Sequence, residues 1–295
     1  MVDMLKVSGT TKALDPAVSE IFLDGAIRLA DTDYGTWMRL RPATTRTIEK
    51  TSLDPAGAYS ALPDGADFSF AAPREGNAKT YTQSTVALAF QVSAEAYHFL
   101  DKISFAEFVQ SVGASAGRKL SSDAYSVLSG GFTDTGPDGV ALFSAAHTAQ
   151  VGGNQSNTGS TALAEASLQS ALTTLRRLKT PDNILAQASP SVLVVPPELE
   201  YDANELVNSV LSGANNQINH LSTKGLTVVT APDLSDANDW MLLDPIVFRA
   251  YMYVSKMSSP KEWIDQDSDN YRLSDRIIFA TGYDGWRGAF GASVA

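Results

Sequence analysis

One apolar stripe, which begins just after Ser104 and continues for about 25 residues, constrains the fold more than any other feature. Its members recur at the spacing of an α-helix: Phe105, Phe108, Val109, Val112, Ala116, Leu120, Ala124, Val127 and Leu128. Ser104 and Glu107 predict a capping box at the start, and Gly130-Gly131 predicts the end. The sequence therefore predicts one helix over 104–129, roughly 37 Å long and more than twice the average helix length. Because one face stays apolar for about four turns, we expect it to pack on a sheet.

The stretch 42–80 has the opposite character. It is rich in glycine and proline and has few long apolar side chains, which is unusual inside a compact domain. Tyr59, Phe68 and Phe70 need burial somewhere and disfavour simple disorder. We therefore expect an extended segment that makes most of its contacts, over 45–80, with other chains.

The rest of the chain mixes helices and strands. From Thr80 the pattern has period two, with Val86, Leu88, Phe90 and Val92 on one face, which predicts a half-buried strand. Further helices are predicted after Asp15-Pro16, over 162–179 and over 199–210. Further strands are predicted over 191–195, 226–230, 239–243, 246–254, 271–281 and 285–292. The fold class is α+β: one long helix early, a compact αβ unit in the middle and strands at the end.

Composition excludes several classes of function. The 295 residues include 33 acidic and 22 basic ones, a net charge of −11, and no cysteine. Tight general binding of nucleic acid or of anionic lipid needs a basic face, so the balance disfavours both. Disulfides and cysteine-based metal sites are excluded. No apolar run approaches the roughly 20 residues that span a bilayer.

A serine motif offers one candidate catalytic residue. Gly113 to Gly117 match the G-x-S-x-G pattern of a nucleophile elbow, with Ser115 as the nucleophile. An elbow serine must protrude on a strained turn between a strand and a helix, whereas this motif falls inside the predicted long helix. A small-residue face for close packing is the favoured interpretation.

Two further groups have residue types that can bind cations. Asp265, Asp267 and Asp269 have the spacing of a calcium loop, but the position of its bidentate glutamate holds Arg276. We therefore expect a solvated acidic turn between strands. The histidines His98, His147 and His220 are far apart in sequence, and His147 is expected to be a hydrogen-bonding loop residue. We expect no catalytic, cofactor-binding or metal-binding residues, and no cofactor.

An ordered series of segments resembles the major capsid proteins of tailed phages that share the Hong Kong 97-type fold, and most closely the branch with the Mu-like major head subunit. The series comprises Asp138–Phe143, His147, Asn154–Asn157, Leu163, Ala166–Leu175, Ser191–Glu200, Ala203–Leu206, Asn215-Asn216, Val228–Leu234 and Asp239–Asp244. The resemblance is strongest over 130–245 and agrees in element order over the whole chain.

The resemblance implies a division of the chain into five parts. An N-terminal arm takes 1–41, an extended β-hairpin loop 42–85, a peripheral domain with the spine helix 86–185, an axial domain 186–245, and return strands that complete the peripheral domain 246–295. The arm-like segment begins almost at Met1, so no long cleaved scaffolding segment is expected ahead of it. The axial domain is expected to meet its copies through loops near 213–225.

The implied function is a major head protein that self-assembles into hexamers and pentamers of an icosahedral or prolate shell around double-stranded DNA. Implied partners are other copies of the chain and scaffolding, portal and decoration proteins; the implied location is the virion, after assembly in the host cytoplasm. Some relatives crosslink a loop lysine to a neighbour, for which Lys50 and Lys79 are the candidates in this chain. Two alternatives remain: an encapsulin-like compartment around a cargo enzyme, and a serine hydrolase built on Ser115.

Overall fold

The computed structural model describes residues 33–54, 61–65, 67–68, 70, 74–99, 102–149, 153–181, 183–209, 218–256 and 260–294. The helix expected after Asp15-Pro16 lies outside these residues. The described residues divide into two compact units. The first contains Gln83–Leu120 and Val254–Phe279, and the second contains Thr32–Thr82, Ser121–Tyr253 and Ala280–Ala295.

The structure is α+β, with eighteen α-helices and β-strands in the described ranges. They are, in chain order, β1 (Met38–Pro42), β2 (Thr47–Asp54), β3 (Arg74–Thr82), β4 (Ser84–Val92), α1 (Ala94–Phe99), α2 (Lys102–Ser129), β5 (His147–Ala149), β6 (Gly153–Gln155), β7 (Thr158–Gly159), α3 (Glu165–Arg177), β8 (Val192–Val195), α4 (Glu200–Asn208), β9 (Thr227–Thr230), β10 (Trp240–Leu243), β11 (Ala250–Lys256), β12 (Lys261–Ile264), β13 (Tyr271–Tyr283) and β14 (Ala289–Ala292).

In the first unit, the long helix packs on a sheet as expected. β13 pairs antiparallel with β4 from Tyr271↔Val92 to Phe279↔Ser84, and with β12 on its other side. Val109 and Val112 of α2 are buried against Tyr271 and Leu273 of β13. Since the stripe of α2 meets this sheet, the prediction of sheet packing is confirmed for this part of the helix.

The second unit is built on a mixed sheet with the strand order β7-β14-β10-β8-β9. β8 runs parallel to β9 and antiparallel to β10. All four residues of β8 are buried, which fits a short apolar strand that ends before a proline pair. α4 forms the crossover between β8 and β9 and packs on both, while α3 packs against β14.

The glycine- and proline-rich stretch forms a hairpin. β2 and β3 pair antiparallel from Thr47↔Thr82 to Asp54↔Arg74, with an irregularity between Thr51 and Leu53. The expected extended β-hairpin is therefore present, and its strands lie in the second unit.

The structure differs from the local predictions in three places. α2 begins at Lys102, so Ser104 lies within the helix and does not cap it. The short elements without a counterpart in the predictions are α1, β1, β5, β6, β7 and β12. Each has two to six residues, which are too few to show a clear period. β14 falls among the return strands assigned to the peripheral domain, yet it pairs with β10 from Leu243↔Ala289 to Trp240↔Ala292. Strand partners are set by tertiary packing, which no local pattern encodes.

Candidate assembly surfaces

The base of the β2–β3 hairpin is held by a buried carboxylate. Lys50 of β2 forms an ion pair with Asp284, and its ammonium lies 3.4 Å from the centre of the Tyr251 ring. The hydroxyl of Tyr81 on β3 donates a hydrogen bond to the same carboxylate. Both strands of the hairpin are thereby attached to Asp284, which is only 6% exposed.

Aromatic rings surround this carboxylate. Tyr253 lies 4.9 Å from Tyr81 and 5.7 Å from Tyr251 between ring centres. Burial, and then the hydrogen bond to Asp284, raise the pKa of the Tyr81 phenol far above its ordinary value. The phenol therefore stays protonated in any neutral buffer and remains a donor.

This geometry bears on the two candidate crosslinking lysines. Lys50 is bound inside its own chain at the base of the hairpin. Lys79 lies on the same strand as Tyr81, with its ammonium 5.9 Å from the centre of the Tyr283 ring. Both lysines therefore lie near the base of the hairpin, against residues of their own chain, and not at its far end.

The far end of the hairpin carries exposed apolar side chains. Phe70 is 95% exposed, Phe68 76% and Leu62 48%. We refer to these three residues as the tip surface. Two phenylalanines left almost wholly in water are unfavourable for an isolated subunit, because each would gain roughly 1.5–3 kcal/mol on burial.

The second unit contains a cluster of buried, hydrogen-bonded polar side chains. His147 and Asn157 are both fully buried, and the His147 ring stacks on Trp286 at 4.0 Å between ring centres. His147 Nδ1 lies 2.6 Å from the Asp138 carboxylate, and Nε2 lies 3.1 Å from the Leu142 carbonyl oxygen. The prediction that His147 is a hydrogen-bonding residue is confirmed, but the residue begins β5 and does not lie in a loop.

Asn157 connects this cluster to the central sheet. Its side-chain amide donates to the carbonyls of Leu142 at 2.7 Å and Ala289 at 3.0 Å, and its oxygen accepts from the Ser144 backbone at 2.9 Å. Because both side chains are fully buried and their polar atoms are hydrogen-bonded, the cluster has the arrangement of a structural support.

The remaining candidates for cation binding are the acidic turn and the other two histidines. Asp265 forms an ion pair with Arg272 at 3.0 Å and accepts the Ser268 hydroxyl at 2.6 Å, in the turn between β12 and β13 that was expected. His220 is exposed, and the side chain of His98 lies outside the described part of the chain. Within the described residues, no group of three or more potential metal ligands converges.

Ser115 lies inside α2, where its hydroxyl donates to the Val112 carbonyl at 2.7 Å. The prediction that the G-x-S-x-G match falls within a helix is confirmed, since α2 runs unbroken from Lys102 to Ser129. A hydroxyl bonded to its own helix does not have the exposed elbow geometry that a nucleophile needs.

The loop after α4 is less open than its polar sequence predicts. Asn219 is only 2% exposed, and its amide donates to the carbonyls of Leu206 at 2.7 Å and Ser209 at 3.0 Å. It therefore satisfies carbonyls at the end of α4 from a buried position. Ile218 beside it is 67% exposed, and Asn215 to Gln217 lie outside the described residues.

The hairpin with its exposed apolar tip and the long helix on a sheet are features of a subunit that associates with other chains. A family model described as phage capsid protein matches residues 76–292. The chain belongs to this phage capsid protein family, and it is a major capsid shell protein.

Solved structures agree on the fold. The chain is similar to a structure of Microbacterium phage Oxtober96 (TM-score 0.59, 13% identity, 99% of this chain and 96% of that chain). It is similar to the capsid structure of cyanophage P-SCSP1u (TM-score 0.59, 9% identity, 90% and 88%). It is also similar to a virus-like particle from Pyrococcus furiosus (TM-score 0.56, 10% identity, 94% and 97%). The fold is thus the Hong Kong 97 type.

No curated protein matches the sequence. In the described part of the chain, no helix is long and apolar enough to cross a membrane.

Proposed function

We propose that the protein assembles into hexamers and pentamers that close an icosahedral or prolate shell around double-stranded DNA. In this proposal the β2–β3 hairpin reaches over a neighbouring subunit, and the sheet that contains β8, β9 and β10 lies around the symmetry axis of each ring. The segment 1–41 acts as an arm, and 86–185 with the return strands before β14 forms the peripheral part. The role is structural, without catalysis.

The tip surface supports this proposal most directly. Its two phenylalanines are the most exposed aromatic side chains among the described residues of the hairpin, while the base of the same hairpin is fastened by Lys50 and Tyr81. A fixed base with an apolar far end suits a segment that buries its tip against another copy.

The test is the double substitution Phe68→Ser and Phe70→Ser. We expect the yield of sedimenting shells to fall at least about tenfold, because losing two buried aromatic anchors costs well above 1.4 kcal/mol per contact. The subunit itself should melt as the wild type does, since both rings are exposed in it. The matched control is Leu185→Ser, at a site that is 51% exposed outside the hairpin. Normal shells from the double variant would contradict the role of the tip.

The contents of the particle separate the two shell hypotheses. The match to a phage capsid family favours a DNA container over a compartment for a cargo enzyme. Electron microscopy of particles from infected cells, with their nucleic acid quantified, tests this. Filled heads with DNA are expected; particles that hold a protein cargo and no DNA would support the compartment.

Further partners belong to the same proposal. A shell that takes up DNA needs an opening and a means of setting its size, so we propose portal and scaffolding proteins, and decoration proteins on the outer face. Assembly takes place in the host cytoplasm, and the mature protein resides in the virion. Affinity purification of intact heads followed by mass spectrometry tests the set.

A further inference from the structure

Charge is distributed very unevenly along the second unit. Between Lys179 and Arg249 the sequence holds nine acidic residues and one basic residue, Lys224. This segment forms β8, α4, β9 and β10. Six of these nine acidic residues are exposed among the described residues: Glu198, Glu200, Asp202, Glu205, Asp233 and Asp236. Exposed charges of one sign repel the same surface of another copy unless a basic surface of a neighbour meets them.

The outward face of α4 concentrates this charge around an aromatic ring. Ala203 and Val207 are the buried residues of the helix. At 100° per residue, Tyr201 and Glu205 point away from them, with Asp202 beside them. Tyr201 is 79% exposed, and both carboxylates are exposed. Neither carboxylate has an ion-pair partner among the described residues. We call Tyr201, Asp202 and Glu205 the acidic surface.

The last turn of α3 carries the complementary charge. Arg176 and Arg177 are both exposed, and neither forms an ion pair with any described residue. The helix is held by the buried leucines Leu168, Leu172 and Leu175. We call Arg176 and Arg177 the basic surface.

The two surfaces lie on helices that contact one sheet near its two different edges. α4 packs on β8 and β9, and β9 is one edge of the sheet. α3 packs against β14, which lies next to the other edge, β7. Head-to-tail association requires two different, complementary surfaces on one subunit, and such association closes into rings when its rotation divides the circle.

We propose that the acidic surface of one subunit binds the basic surface of the next copy in the ring. In this contact the two guanidinium groups stack on the Tyr201 ring and pair with the carboxylates of Asp202 and Glu205. Arginine suits this because it combines cation–π stacking with bidentate binding of carboxylates. The inference rests on the proposed function and specifies which surfaces join the copies.

A purely intramolecular role for these charges makes a different prediction. An acidic residue in the first turn and basic residues in the last turn each favour a helix through its dipole. If that were their whole role, reversing both surfaces would add two destabilising changes. If they meet between copies, reversing both surfaces restores complementarity.

The experiment uses charge reversal in the full chain. Asp202→Lys/Glu205→Lys and Arg176→Glu/Arg177→Glu are each expected to lower the yield of rings and shells at least tenfold. The variant with all four substitutions is expected to recover to within about threefold of the wild type. Glu107→Lys/Asp267→Lys, at exposed positions of the first unit, makes the same change in net charge as the first pair and is expected to assemble normally. Tyr201→Ala should weaken assembly, and Tyr201→Phe, which keeps the ring, should not.

Mixing provides a second readout that does not depend on the fourfold variant folding. The two single-surface variants, each unable to assemble alone, should form mixed oligomers by native mass spectrometry when combined. Single-surface variants that assemble as the wild type does, or a mixture that stays monomeric, would overturn the proposed contact. A wild-type chain that never assembles would instead contradict the proposed function itself, so the two failures are distinguishable.

Discussion

At the scale of single residues, Asp284 explains how a segment with little core of its own is fixed to the subunit. Its carboxylate binds the Lys50 ammonium and the Tyr81 hydroxyl, and its backbone amide donates to the Arg249 carbonyl at 3.0 Å. A buried carboxylate is tolerated only when charged or hydrogen-bonding groups surround it. The polar contacts of the hairpin base are thus mutually dependent.

Tyr81→Phe tests this dependence. The substitution keeps the ring but leaves the buried Asp284 carboxylate with one donor fewer, so we expect the free energy of unfolding to fall by about 1–3 kcal/mol. Urea unfolding of the unassembled subunit measures it. Tyr201→Phe, on an exposed ring, should change nothing. A Tyr81 variant as stable as the wild type would show that the hydroxyl is dispensable.

The raised pKa of Tyr81 predicts how the stability of the subunit depends on alkaline pH. The pKa of Tyr81 is raised in the folded chain above its ordinary value of 10.0. Folding therefore favours the neutral phenol. Its contribution to the free energy of unfolding is complete below about pH 10 and is lost as the pH rises further. In denaturant unfolding measured across this range, the wild type should lose stability above about pH 10 more steeply than Tyr81→Phe.

At the scale of elements, α2 contains two internal glycines that call for an explanation. Gly113 and Gly117 lie one turn apart on the helix, and both are buried. Each disfavours the helix by about 1 kcal/mol relative to alanine, so a compensating role is expected. Close packing of a neighbouring segment is one explanation, and a bend that fits the subunit to both a rounded and a flatter shell is the other.

Gly113→Ala/Gly117→Ala separates these explanations. Because both positions are buried within an unbroken helix, we expect overpacking to lower the melting temperature, by the equivalent of about 1–3 kcal/mol, despite the better helix propensity of alanine. Ser115→Ala, between them, should be nearly silent, since its hydroxyl bonds to its own helix. A more stable double variant whose shells form but fail to expand would favour the bend. Lost esterase activity in Ser115→Ala would revive the hydrolase hypothesis.

The elements also show what local sequence patterns encode. The predicted helix matches α2 to within two residues, because a stripe of this length has no competing period, and β8 follows from an apolar run that two prolines end. The pairing of β14 with β10 could not be derived, since both are short buried runs that would fit several partners. The Lys50–Asp284 contact and the burial of Asn219 could not be predicted from the sequence for a similar reason. The partner of a polar side chain lies far along the chain or in a helix terminus whose position only the fold determines.

At the scale of the whole molecule, charge governs how the protein can meet its contents. A net charge of −11 is unusual for a protein that would stay in contact with DNA, and much of it falls in the segment between Lys179 and Arg249. DNA binding by proteins draws much of its free energy from the release of counterions by lysine and arginine. A container that must admit and release its DNA benefits from a surface that does not bind DNA through counterion release.

We therefore predict that the purified, unassembled subunit does not bind duplex DNA. Each phosphate contact that releases a counterion steepens the dependence of affinity on salt, and an acidic protein makes few such contacts while its own field repels the duplex. In a fluorescence anisotropy titration of a labelled duplex at low salt, we expect no binding at micromolar subunit and no change on adding sodium chloride. The matched comparison is the Asp202→Lys/Glu205→Lys variant, which removes two anions and adds two cations in this acidic segment and should acquire weak, salt-sensitive binding. Micromolar binding by the wild type that weakens steeply with salt would show that a basic face exists despite the composition, and it would contradict the role of a non-adhesive container.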